Sequence, residues 1–145
     1  SQPVTARVLK MGDAEMPISY LMVGTNDLAR ARTFYDAVMP FVGGELDAVF
    51  EGMTFSYKFA DGSHVWIALP YNREPAAPAN GSMPGFSCGD EAAVIAAHAA
   101  ALANGGTNEG DPGPRPLYGP HLFVAYVRDP DGNKMSFIYE RKAAE

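Results

Sequence analysis

The largely apolar run from Ile18 to Gly24 predicts a strand whose two-residue period puts Ile18, Tyr20 and Met22 on one face. The period then changes. Leu28, Ala31, Phe34, Tyr35 and Val38 recur at helical spacing and predict a helix from about Asp27 to Phe41, capped by Thr25 or Asn26 and stopped by Gly43-Gly44. Strands follow at about Glu45 to Glu51, Met53 to Phe59 and Ser63 to Leu69, with Asp61-Gly62 suited to a two-residue hairpin turn between the last two. The stretch from Tyr71 to Pro84 is rich in proline and alanine and reads as a linker.

The same order then returns. A short strand near Gly85 to Gly89 leads to an Asp90-capped, alanine-rich helix from about Glu91 to Asn104, stopped by Gly105-Gly106. After a Gly/Pro-rich stretch, Gly110 to Pro120, which reads as irregular, come strands at about Leu122 to Arg128 and Lys134 to Glu140. Asp131-Gly132 in the turn between them is the counterpart of Asp61-Gly62. Paired glycine stops and paired Asp-Gly turns at corresponding places predict a duplicated βαβββ unit, with an insertion in the proline-rich loop before Pro120.

Composition narrows the function. The 145 residues are 47% hydrophobic, enough for one core and one domain. Eleven Lys and Arg stand against 17 Asp and Glu, a net charge of −6 with no basic cluster, which disfavours nucleic acid and anionic membranes as partners. The lone Cys88 excludes an intrachain disulfide and suits the cytoplasm. No apolar run reaches the length of a membrane span.

The string from Val23 to Asp36, with Thr25-Asn26-Asp27 and Phe34-Tyr35, resembles the first strand-to-helix junction of glyoxalase and bleomycin-resistance-like proteins of the vicinal oxygen chelate superfamily. Gly105 to Pro120 followed by Tyr126 to Lys134, with Asp129-Pro-Asp-Gly132, is similar to that family's second-module signature. The resemblance covers about Pro17 to Arg141 and implies an α+β fold of two βαβββ modules, about 17–72 and 83–141, whose curved mixed sheets pair around a cup with the helices outside. Residues 1–16 read as an arm preceding a single domain at 17–145. Metal-dependent relatives hold a divalent ion in the cup with His, Gln or Glu. Carried onto this chain, the ligand positions fall on Tyr20, Ala68, Met83 (or Pro84 in a neighbouring register) and Ser136. A phenol, a methyl, a thioether and an alcohol do not make a site for a hard divalent ion, so the expectation is a cup with no metal and no other cofactor.

Strand alternation suggests what lines such a cup. His64, Trp66 and Ala68 share one face of their strand, and the two-residue turn pairs them with Phe59, Tyr57 and Phe55, so Phe55 and Tyr57 are expected on the cup wall. Tyr20 and Met22 join them from the first strand and Ser136 from the last. An aromatic stripe on a strand is as often plain core. Arg115, held between prolines near Tyr118, is a candidate clamp for a carboxylate or phosphate, with an ordinary surface arginine the equal alternative. His121 stands next to the same loop, His98 reads as packing, and Cys88 as an apolar filler facing a helix. The expected function is a homodimeric binder of a small aromatic or amphipathic molecule. The rival is a metal-dependent lyase of the lactoylglutathione lyase kind with substitute ligands such as His64 or His121, or acid–base chemistry by Tyr20 and His64.

Overall fold

The computed structural model describes residues 16–142; the arm expected at 1–16 lies almost wholly outside the described residues. Strand β1 (Tyr20–Gly24) leads to helix α1 (Leu28–Val38) and a single 3-10 turn (Met39–Val42), then β2 (Glu45–Phe50), β3 (Thr54–Lys58) and β4 (His64–Ala68). The second module runs β5 (Gly85–Ser87), α2 (Glu91–Ala103), β6 (Thr107–Pro114), β7 (Leu122–Arg128) and β8 (Lys134–Glu140). Each module makes its own mixed sheet of four strands, β1-β4-β3-β2 (sheet A) and β5-β8-β7-β6 (sheet B), so the expected α+β duplication is present and the sheets are open.

Two readings of local structure change. The cap of α1 is Asp27, whose carboxylate accepts from the Arg30 N–H at 3.0 Å, because Thr25 and Asn26 are committed elsewhere. The Gly/Pro-rich stretch expected to be irregular contains β6. This strand is tolerated because it sits at the sheet edge, where prolines cost no ladder bond, and its register against β7 shifts twice.

Both helices cover one face of their own sheet and touch each other. Ala31, Phe34, Tyr35 and Val38 of α1 meet Val94, Ala97 and Ala101 of α2, and Phe55, Tyr57, Val65 and Ile67 from sheet A join Phe86, Ala125, Val127, Met135 and Phe137 from sheet B in one cluster. His98 lies inside this packing with its Nε2 2.9 Å from Asn108 Oδ1, a structural role in line with its position among alanines. The other face of each sheet is left uncovered by helix.

Polar groups of the second-module turn lock the two modules together. Asp131 accepts from the Thr25 hydroxyl at 2.5 Å, the Asn26 N–H at 2.9 Å and the Arg30 guanidinium at 2.9 Å. The buried Tyr35 hydroxyl donates to Asp129 at 2.6 Å, and the Asn133 amide donates to the Gly24 carbonyl at 2.8 Å. Burial, followed by the Asp129 charge, pushes the Tyr35 hydroxyl well above the ordinary tyrosine range. The Asp-Pro-Asp-Gly motif therefore works here as a fastener. No helix among the described residues is long and apolar enough to cross a membrane.

Candidate functional site

The uncovered face of sheet A gathers aromatic and titratable side chains. Parallel pairing of β1 with β4 sets Tyr20 beside His64 and Met22 beside Trp66. Tyr20 is 56% and Met22 58% exposed. Large apolar groups gathered on one surface are seldom left in water without a purpose. Phe50 stacks on Trp66 at 6.3 Å between centroids, and His64 lies against the same indole at 6.3 Å. Both separations suit attractive ring contact. Beyond the indole, His64 Nε2 is 3.0 Å from Asp47 Oδ2.

Strand β3 lies between β2 and β4, and these contacts cross it because the residue beneath them is small. Ser56 pairs with Trp66 and is wholly buried, so side chains from either flank meet above it. Its hydroxyl accepts from the Ala48 N–H at 3.3 Å, within a register shift of β2 between Leu46 and Val49. Such a bulge re-aims a side chain, and here it turns Asp47 toward His64. The carboxylate holds one ring nitrogen and leaves the other to exchange a proton or a hydrogen bond with a ligand. Neither Asp47 nor Phe50 was expected from sequence. Their signal was the three-residue step between the apolar Leu46 and Val49, which a strand without a bulge does not make.

Toward the end of β1 this face opens into a groove of about 810 Å³ walled by Met22, Met53, Thr54, Ala68, Leu69 and Tyr71. Near the start of β1 a second cavity of about 530 Å³ lies where the sheets approach, among Ile18, Phe59, His64 and Phe86. Phe59 and Phe86 are 6.0 Å apart there. On the open face of sheet B, Ser136 pairs with Gly85 and Tyr126. The Arg115 guanidinium lies 5.4 Å and the Lys134 ammonium 5.6 Å from the Tyr126 ring centre. Met83 is exposed just ahead of β5, and Tyr118 and the exposed His121 stand on the connection from β6 to β7.

Thus Tyr20, Met22, His64, Trp66 and Ala68 share one open face, while Ser136 and Arg115 belong to the other sheet. Ala68 stands across from Gly24, four residues beyond the Tyr20–His64 pair. Phe55 and Tyr57 are corrections. They were expected beside Trp66, but they pair with Ile67 and Val65 and face the helices, 3% and 2% exposed. The cause is the hairpin turn. Phe59 donates to the Ser63 carbonyl and Gly62 to that of Phe59, both at 2.9 Å, which makes a three-residue loop with Gly62 at φ 90°. One extra loop residue moves the register by one, and a one-residue move exchanges the faces. Phe55 instead lies under the Arg32 guanidinium at 5.7 Å, and the Tyr57 hydroxyl donates to Asp36 at 2.6 Å. Burial and then that bond push the Tyr57 hydroxyl far above its ordinary range.

The residues on these faces do not fit the divalent ion that metal-dependent members of the resembled family carry. Asp47 and His64 are two donors where three or more are needed, and Ser136 and Met83 add a neutral hydroxyl and a thioether. Among the described residues no three His, Cys, Asp or Glu side chains are grouped to hold an ion.

Two open mixed sheets of βαβββ order, with an aromatic wall on an uncovered face, define a paired-module α+β protein. The sequence profile of the Glyoxalase/Bleomycin resistance protein/Dioxygenase superfamily matches residues 18–137, and the chain belongs to that superfamily. A crystal structure of a glyoxalase/bleomycin resistance protein from Albidiferax ferrireducens T118 is 38% identical, with a TM-score of 0.77 over 86% of this chain and 98% of that one. A lactoylglutathione lyase from Agrobacterium tumefaciens shares the fold at 22% identity, TM-score 0.61, covering 86% and 93% of the two chains. So does a glyoxalase-related enzyme from Fulvimarina pelagi at 19% identity, TM-score 0.67, covering 87% and 89%. Among curated proteins none matches the chain.

Proposed function

We propose that this protein binds a small aromatic or amphipathic molecule on the open face of sheet A, in the cytoplasm, without a resident metal ion or other cofactor. The observation that carries the reading is the asymmetry of that sheet: one face is closed by α1, while the other presents Phe50, Trp66, Tyr20 and Met22 to solvent. Covering such a surface yields about 25 cal/mol per Å² of apolar area, and a stacked ring adds roughly 0.5–1.5 kcal/mol per pair. A homodimer, in which a second copy supplies the missing wall, is part of the same proposal, because Ile18, Tyr20 and Met22 together leave a wide apolar strip uncovered.

Thermal-shift titration with a panel of neutral aromatic compounds tests this. Stabilisation by at least one compound, lost in Trp66→Ala while the unliganded melting temperature holds, is the expected result. A second reading rests on the Asp47–His64 pair, which offers two adjacent donors to a lyase with substitute ligands, or an oriented base to proton transfer beside Tyr20. Stabilisation by Zn²⁺, Ni²⁺ or Mn²⁺ that vanishes in His64→Ala, with no response to aromatic compounds, would replace the first reading by this one.

A further inference from the structure

The open face of sheet B holds two cations that no carboxylate among the described residues pairs with. Arg30, Arg32, Arg128 and Arg141 each pair with a carboxylate, on Asp131, Asp36, Glu109 and Glu91. Arg115 and Lys134 make no ion pair among the described residues, although the chain carries a net charge of −6. Both sit over the ring of Tyr126, at 5.4 and 5.6 Å. Two like charges sharing one ring repel each other, and an arrangement of this kind is relieved by an anion.

The backbone is shaped to keep Arg115 there. Its Nη2 donates to the Asp111 carbonyl at 2.6 Å and its Nη1 to the Pro114 carbonyl at 3.1 Å, while its own N–H donates to the Leu122 carbonyl at 3.1 Å. A Cβ added at Gly110 would stand 2.7 Å from Tyr126 Cδ2, and one at Gly113 would stand 3.2 Å from Arg115 Nη1. The glycines that made this stretch look irregular thus leave room for a guanidinium folded back over the ring. Three of its five N–H groups remain free after the two carbonyl bonds, a preorganised fork for a carboxylate-like group. Beside it, Ser136 shares the face as the register partner of Tyr126, two residues along β8 from Lys134. Of the nearby carboxylates, Glu109 is paired with Arg128, and Asp111 is held by the Asn108 amide and meets Arg115 through its backbone carbonyl.

We infer that Arg115, Lys134 and Ser136 form an anion subsite on the open face of sheet B, so that the molecule bound carries a carboxylate, sulfonate or phosphate group beside its aromatic part. This rests on the proposal that the chain binds a small aromatic molecule. A matched pair of fluorescent probes separates the two ideas: 8-anilinonaphthalene-1-sulfonate, and N-phenyl-1-naphthylamine, which has the same rings without the sulfonate. In Arg115→Gln and Lys134→Gln the sulfonated probe is expected to bind roughly ten-fold more weakly, with the neutral probe unchanged. Arg115→Lys, which keeps the charge and loses the fork, is expected to fall between. Arg73→Gln, which removes the other described arginine without an ion pair, is expected to alter neither probe. Circular dichroism melting of each variant separates loss of affinity from loss of fold. Equal weakening of both probes in Arg115→Gln, or loss of the sulfonated probe in Arg73→Gln instead, overturns the subsite while leaving the aromatic site standing. Binding of neither probe to the wild-type protein overturns both.

Discussion

The two hairpin turns, Phe59 to Ser63 and Asp129 to Asn133, have the same backbone and different duties. In each, the first residue donates to the fifth at 2.9 Å, the glycine donates back to the first at 2.9 Å, and that glycine stands at φ 90°. Yet Asp131 fastens β1 and α1 to the second module, while among the described residues the Asp61 carboxylate bonds only to Ser63, two residues on. The strand-to-helix junctions show why. Thr25 and Cys88 occupy equivalent places, their N–H groups donating to Ala68 at 2.9 Å and to Ile138 at 2.8 Å, and Asn26 corresponds to Gly89. A hydroxyl at the first junction is a partner for a carboxylate; a buried thiol at the second is not. Duplication has preserved the chain path, and side-chain chemistry has diverged to give one tie in place of two.

That contrast is breakable, and the largest effect is expected at Asp131. Its side chain is only 3% exposed, and Asp131→Ala removes the one acceptor shared by the Thr25 hydroxyl, the Asn26 N–H and the half-exposed Arg30 guanidinium. The loss is expected to be about 3 kcal/mol in urea unfolding. Asp61→Ala in the same assay is expected to match wild type within error; equal losses would refute the asymmetry. Next, Gly132→Ala and Gly62→Ala both force an L-residue to φ 90°. Each is expected to lose about 1–2 kcal/mol, the ordinary cost of a left-handed L-residue. Gly132→Ala should lose more, since its Cβ would meet Pro78 at 3.3 Å, whereas Gly62 faces the flexible end of Met16 at 3.5 Å.

A smaller effect is expected with pH. Tyr35 and Tyr57 are raised above their ordinary value of 10.0, and burial followed by the Asp90 charge pushes the Cys88 thiol up from 9.0 to about 11. All three are neutral when protonated, so the unfolded chain gives up these protons first: the Cys88 share of stability is present below about pH 9 and lost toward about 11, and the tyrosine share is present below pH 10 and lost progressively above it. The melting temperature should fall across that window. Tyr35→Phe should flatten the fall while losing about 1 kcal/mol at neutral pH through the lost bond to Asp129, whose carboxylate still accepts from the Asp131 and Asn133 N–H groups and the Asn133 amide. The smallest signal is a rate. Cys88 is 8% exposed, and its thiol holds its proton. It should react with iodoacetamide at mildly alkaline pH far more slowly than after unfolding in urea. Reaction at the rate of the unfolded thiol would contradict its placement against the helix.

Periodicity and punctuation carried most of the architecture. β7 and β8 coincide with the runs read on either side of the Asp129-Pro-Asp-Gly132 turn, Asp90 caps α2, and the apolar stripe of α1 is its buried face. What failed was anything set by a single residue of register. Asp-Gly serves both two- and three-residue loops, and only the added loop residue decides whether Tyr57 or Ser56 faces Trp66. The same limit hid Asp47, whose direction depends on a bulge, and β6, whose prolines and glycines are acceptable only at an edge. Tyr20, Met22, His64 and Trp66 were legible as neighbours because parallel pairing keeps their alternation in step.

The irregular step in β2 has one more effect. This strand is an outer edge of sheet A, where unpaired backbone groups would otherwise invite a foreign strand to add on. A kink carrying Asp47, bracketed by Glu45 and Glu51, presents a broken and negatively charged margin to any such newcomer. Addition of a foreign strand along that border is thereby discouraged.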